Sequence, residues 1–111
     1  MTKKIVVFVT CGSIEEAQQI GRTLVDRKLV ACANILRAPV QSIYWWKNEI
    51  ESAEEVLLLL KSSRSRFAAV VSAIRNLHSY DLPEIIALPI TAGSRGYLDW
   101  ISRSVSGGKR R

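Results

Sequence analysis

One histidine and two cysteines are the strongest metal-ligating side chains in this sequence. His78 lies in the segment LHSYDLPEIIALPI, Leu77 to Ile90, and Tyr80, Asp81 and Glu84 follow it closely. Cys11 closes one apolar run, FVTC, and Cys32 opens another, CANIL. Thiolate and imidazole are donors that suit copper and related ions. A thiol beside an imidazole is also the nucleophile and base of a hydrolase. Tyr44 and Trp46 alternate along YWW and, with Lys61 and Tyr80, could wall a ligand cleft. Each has a plainer reading. A histidine at a helix end can cap the dipole, and a cysteine ending an apolar strand is by default a small buried hydrophobe. Tyr44 and Trp46 suit an oligomer interface, and Glu84 after Pro83 suits a charge pair. The elements that carry these residues decide which of them meet.

Ile5 to Val9 are consecutive β-branched or aromatic residues, the signature of a buried strand. SIEE then offers a capping box, with Ser13 as the cap and Glu16 reaching back. Ala17, Ile20, Gly21, Leu24 and Val25 follow at helical spacing, so a helix should run to about Lys28. Ala31 to Trp46 reads as a long, bent strand, with Pro39 at an edge or bulge because proline donates no ladder hydrogen bond. KNEIES, residues 47–52, is expected to turn, and Val56 to Leu60 to form another strand. Phe67, Val70, Val71, Ile74 and Leu77 mark a second amphipathic helix. Ile85 to Ile90 form a strand interrupted by Pro89, and a last helix carries Tyr97, Leu98, Trp100 and Ile101. The order β-α-β-β-α-β plus a terminal helix is the ferredoxin-like, split-βαβ pattern of an α+β fold. One domain, residues 1–105, is expected, with 106–111 a flexible basic tail.

Helices cover one face of such a sheet. The other would face water, which calls for alternating polarity. These strands are apolar on both faces, and each buried aliphatic side chain is worth about 1.5–3 kcal/mol. A second copy of the chain is the simplest cover, so a homo-oligomer is expected.

With strand order 4-1-3-2, Cys11, His78 and the tip of the second hairpin share one edge of the sheet. Tyr44, Trp46, Tyr80, Asp81 and Glu84 converge on that edge too. Cys32 falls at the opposite end, roughly 20 Å away along six residues of strand. An intrachain disulfide and a chelate of both thiols with His78 in one subunit are excluded on this reading.

The bulk composition narrows the classes further. The formal charge is +6, but Lys109, Arg110 and Arg111 carry three of those charges. The aromatic cluster has only Lys47 close by, which argues against nucleic acid. No apolar run approaches the ~18 residues of a membrane span. MTKKIVVFVTCGS imitates a signal peptide, yet its apolar run is shorter than the roughly 7 residues required, and no A-x-A site follows. A cytoplasmic protein with reduced thiols is expected.

The segments FVTC, LVACANI, SIYWWKNEIE, LLLLKS, HSYDLPEIIALPI and YLDWI resemble, in order, the divalent-cation tolerance proteins of the CutA family. The likeness runs from about Ile5 to Ile101. Its most specific parts are Ala31–Ile35, Ser42–Trp46 and His78–Glu84. The resemblance implies a homotrimer with strand pairing between subunits through the long second strand. It implies a link to copper and divalent-metal tolerance. It implies further a likeness to nitrogen-regulatory trimers that bind small ligands between subunits. The sequence departs from the family pattern at Ser79, where proline is usual, and at Asn48, where glycine is favoured.

Three functions follow. In the first, a trimer holds copper or another divalent ion through Cys11 and His78, with Cys32, Asp81 and Glu84 as further candidate ligands. In the second, a cleft between subunits lined by Tyr44, Trp46, Lys61 and Tyr80 takes a small anionic metabolite or a partner protein, without direct metal chemistry or an organic cofactor. The third, a thiol hydrolase built on Cys11 and His78, is the weakest. It lacks an evident orienting group, and TCGS offers only a rudimentary oxyanion hole.

Overall fold

The computed structural model describes residues 2–106. In chain order the elements are β1 (Lys4–Cys11), α1 (Ile14–Asp26), β2 (Cys32–Trp46), β3 (Glu49–Ser63), α2 (Phe67–Leu77), β4 (Ile85–Pro89) and α3 (Arg95–Val105), with a single 3-10 turn at Arg64–Arg66 leading into α2. Residues 107–111, most of the expected basic tail, lie outside the described part.

The strands form one antiparallel sheet in the order β2-β3-β1-β4, the arrangement expected from the sequence. Burial alternates strictly along β1 and along the β1-paired half of β3. One face presents Ile5, Val7, Val9, Cys11, Leu58 and Leu60, all buried against α1 and α2 through Ile20, Leu24, Val70 and Ile74. The other presents Val6, Phe8, Leu57 and Leu59, which are only half-buried, followed by Ile86 and Leu88, which are exposed. On this face α3 packs against β3 and β1, with Tyr97 beside Cys32. Helix α3 closes a small satellite core of Ile101 and Val105 on Ala31. Arg66 ties the end of α3 down, donating through Nε at 2.9 Å to the Val105 carbonyl.

Local chemistry explains the boundaries. The Ser13 hydroxyl accepts from the Glu16 N–H at 3.1 Å and starts α1. Lys28, at φ 59°, reverses the chain after the helix. The Lys28 and Leu29 N–H groups then cap the free carbonyls of Val25 and Leu24. Pro39 falls inside the register shift between Leu36 and Val40, on a strand that is also the sheet edge.

One boundary differs from the sequence reading. The expected turn over residues 47–52 contracts to Lys47 and Asn48, at φ 51° and 68°, and β3 begins at Glu49. Two consecutive left-handed residues make the tight reversal that matches strand twist. Ile50, Glu51 and Ser52 are then paired with Trp45, Tyr44 and Ile43. Since β1 reaches only to Val56 on β3, the hairpin beyond that point projects as a two-stranded ribbon. One face of the ribbon sets Trp45 against Ile50, at 70% and 65% exposure.

Asn48 therefore carries a conformation that branched side chains resist by about 1–2 kcal/mol. Asn48→Val should lower the unfolding free energy by about that amount in chemical denaturation, whereas Asn48→Gly should leave it unchanged or slightly raised.

Candidate functional site

Three elements end together at one edge of the sheet: β1 at Cys11, α1 at its N-terminus and α2 at His78. Donor atoms of Cys11, Glu16 and His78 lie within 4.8 Å of one another. Cys11 is fully buried and His78 is 8% exposed.

The imidazole is held from both sides. Nε2 lies 2.8 Å from the Thr10 carbonyl; a carbonyl only accepts, so Nε2 carries the proton and donates. Nδ1 is then the lone-pair nitrogen. It accepts the Tyr80 N–H at 3.1 Å and lies 3.5 Å from Glu16 Oε2. The same N–H capping that ends α2, His78 to Ile74 at 2.8 Å, fixes the backbone beneath the ring.

Glu16 is the residue the sequence reading assigned only to helix capping. Half of that box forms. The Glu16 carboxylate turns instead to the loop edges, with Oε1 accepting from the Gly12 N–H at 3.1 Å and Oε2 from the Ser79 N–H at 2.7 Å. Burial pushes the Glu16 carboxyl up, but the hydrogen bonds from Ser79 and Gly12, with His78 nearby, outweigh it and hold it below 4.5. Ser79 can supply one of these donors because it carries a backbone N–H, which a proline there would lack. Cys11 shows the opposite balance: burial, then the nearby Glu16 and Glu55 carboxylates, push its thiol up to about 12.

Beside this cluster lies a groove of about 610 Å³ between the projecting hairpin and the segment after α2. Tyr44, Trp46 and Tyr80 wall it, and Glu55, Asp81 and Glu84 line it. Tyr80 donates its hydroxyl to Glu55 Oε2 at 2.8 Å. Burial, followed by that carboxylate, raises the Tyr80 phenol well above its ordinary range.

The sequence-predicted residues thus separate into three groups. Cys11 and His78 come within 4.8 Å of each other. Tyr44, Trp46, Tyr80, Asp81 and Glu84 line the adjoining groove, where the two carboxylates join no described metal-ligand cluster. Cys32 and Lys61 stand opposite each other at the far end of β2 and β3. Five residues of β3 separate Lys61 from Val56, the partner of Cys11, or about 17 Å. Both thiols are free. Lys61 instead donates to Asn34 Oδ1, which the Cys32 thiol also approaches, so in the single chain Lys61 does not line the groove. Glu16 and Glu55 are the residues that sequence reasoning missed. For Glu55 a signal existed, because strand alternation puts it on the face of Leu57 and Leu59.

The family model described as "CutA1 divalent ion tolerance protein" matches residues 5–104. The chain belongs to this CutA family. The divalent-cation tolerance protein CutA of Thermus thermophilus is 43% identical over 96 residues, covering 86% of this chain and 92% of its own. The CutA protein of Archaeoglobus fulgidus is 39% identical over 99 residues, covering 89% and 95%. The chain spans only 56% of the chloroplastic CutA 1 of Oryza sativa, to which it is 37% identical over 90% of its own length. Among solved structures, the Thermus thermophilus CutA1 superposes with a TM-score of 0.90 at 40% identity, covering 93% of this chain and 99% of that one. The fold of this CutA chain is therefore the family fold.

The charged state of Glu16 ties α1 and the α2 exit to the sheet edge. A carboxyl whose folded pKa is depressed contributes stability above its unfolded value and loses it as pH falls through the folded one. Thermal melts should show midpoints falling below about pH 4.5, and Glu16→Gln should flatten that acid limb while lowering the plateau above it.

Proposed function

We propose that this CutA protein is a homotrimer that acts in divalent-metal tolerance, binding copper or a similar ion at the edge formed by Cys11, Glu16 and His78. The observation that carries the reading is the convergence of a thiol, a carboxylate and an imidazole within 4.8 Å. Donors that share an ion stand roughly 3.3–3.8 Å apart, so a small inward shift suffices. The tautomer supports it as well. Metal-binding histidines commonly donate their second nitrogen to a carbonyl, and the Nε2 donation to Thr10 leaves the Nδ1 lone pair toward Glu16. When bound, the ion would take sulfur, nitrogen and oxygen donors from these three residues. Asp81 and Glu84, in the groove, and Cys32, at the other end, do not complete that set within one chain.

The residues fit such an ion at a cost. The Tyr80 N–H must yield the Nδ1 lone pair, and the Cys11 thiol, raised to about 12, must shed its proton. The same buried, raised thiol is ill-suited to nucleophilic catalysis, which needs a depressed one. Relatives named for metal tolerance support a non-enzymatic role.

Assembly is supported by the apolar surface left by the fold. Ile43, Trp45 and Ile50 lie on the hairpin, and Ile86 and Leu88 lie on the outer sheet face; all are exposed in the single chain. No described helix is long and apolar enough to cross a membrane, and reduced, free thiols fit the cytoplasm. A small-metabolite trimer without metal chemistry is the second reading, favoured by the groove beside the cluster.

Calorimetric titration of reduced, chelator-stripped protein with copper tests the primary reading. Binding should occur at a whole or simple fractional ratio per chain and be lost in both Cys11→Ala and His78→Ala. Because one thiol proton leaves per ion, affinity should rise about tenfold per pH unit between pH 6.5 and 8. Equal binding by all three proteins would make the link to metals indirect. Assembly is checked separately. Melting midpoints should rise with protein concentration, and Trp45→Glu should yield a less stable, smaller species in sedimentation.

A further inference from the structure

Cys32 is a nucleophile that neither the metal cluster nor the groove employs. It opens β2 directly opposite Lys61 of β3. Residues paired in this way point to the same face of the sheet, with Cβ atoms about 4.5–5.5 Å apart. Asn34, two residues further along β2, returns to that face. Its Oδ1 gathers both groups: the Cys32 thiol approaches it at 3.5 Å, and the Lys61 ammonium donates to the same atom. A shared acceptor therefore holds sulfur and nitrogen side by side.

The surroundings keep the pair in place. The Ala31 N–H donates to the Lys61 carbonyl at 2.7 Å, which braces the backbone beneath it. The Tyr97 hydroxyl, carried by α3, lies beside the sulfur. All these contacts are made within one chain, so they do not depend on how copies assemble. Cys32 and Lys61 are each half-buried, whereas Cys11 is sealed at the other end of the sheet.

A thiol oxidised to a sulfenic acid carries an electrophilic sulfur, which condenses with a second thiol or with a nitrogen. Here the group in reach is the Lys61 amine. We infer that peroxide closes a covalent sulfenamide bond between the Cys32 sulfur and the Lys61 nitrogen. In the first step hydrogen peroxide transfers one oxygen to sulfur. The O–O bond breaks, the S–O bond forms, and the other oxygen leaves as water; sulfur is oxidised and peroxide reduced by two electrons. In the second step the Lys61 ammonium releases a proton to solvent, and its amine attacks the sulfur. The S–N bond forms, the S–O bond breaks, and the hydroxyl departs with an amine proton as a second water. No further oxidant is consumed. A small thiol reverses the link by attacking the sulfur, freeing the amine and leaving a mixed disulfide that a second thiol clears. The closed bond staples β2 to β3 where α3 packs and removes one positive charge, a redox-reversible clamp on that end of the sheet.

The test treats full-length, assembled protein with hydrogen peroxide and reads intact and peptide masses. Chelator is present throughout, which separates this chemistry from the metal reading. Wild type should lose two hydrogens, with Cys32 and Lys61 recovered in one cross-linked peptide, and dithiothreitol should restore the starting mass. Lys61→Arg keeps the charge and a donor for Asn34, but its guanidinium stays charged and is no nucleophile. In that variant Cys32 should remain a sulfenic acid and take up dimedone about tenfold more than in wild type. Cys32→Ser should give neither product. Three results would each overturn the inference: Cys32 that does not react with peroxide, chains joined through Cys32 disulfides, or equal dimedone uptake by wild type and Lys61→Arg.

Discussion

The period of two along β1 and β3 is the constraint on which the rest of this molecule depends. Each residue added to a strand changes face, so an unbroken apolar run must serve two cores at once. Val7 and Val9 pack under α1 and α2 while Val6 and Phe8 face outward. Helix α3 answers part of that demand by bringing Ile101 onto the flank of the sheet. The remainder, Ile86 and Leu88, stays exposed in the single chain. The same alternation decides the chemistry at the upper edge. Cys11 falls on the helix side, sealed beside His78, and Thr10 and Glu55 fall on the other side, facing the groove.

A side-chain cluster and a groove of different character therefore share one strand end. On the helix side, the hydrogen bonds of Glu16 to Gly12 and Ser79, and of His78 to Thr10, lock β1, α1 and α2 together. This lock is structural in the resting chain, and any ion bound there takes over hydrogen bonds that already hold the fold. Binding at such a place couples to local order, because the displaced Tyr80 N–H belongs to the segment that walls the groove. Tyr80 links the cluster and the groove physically: its backbone contacts His78, its ring lies 4.6 Å from the imidazole, and its hydroxyl reaches Glu55.

Strand order, helix positions and the separation of the two cysteines were legible in the sequence, because long apolar runs and helical spacing are strong local signals. Pro39 was read as an edge or bulge and is both. The first half of β3 was illegible. Glu49 to Glu55 reads EIESAEE, with little apolar alternation, and its strand state comes from pairing with Val40 to Trp46. Glu16 was hidden because a capping residue and a loop-tying carboxylate look the same in sequence; only the return of α2 to the sheet edge brings Ser79 to it. Lys61 was read at the bottom of the third strand, and its register opposite Cys32 puts it there.

The account stands most directly on whether Cys11 sulfur and His78 nitrogen share an ion. X-ray absorption of protein loaded with zinc, a redox-silent stand-in that does not oxidise the thiol, reads the donors themselves. The account predicts a sulfur scatterer at about 2.3 Å with nitrogen or oxygen at about 2.0–2.1 Å, the sulfur signal vanishing in Cys11→Ser. A shell of nitrogen and oxygen alone in the wild-type protein would contradict it.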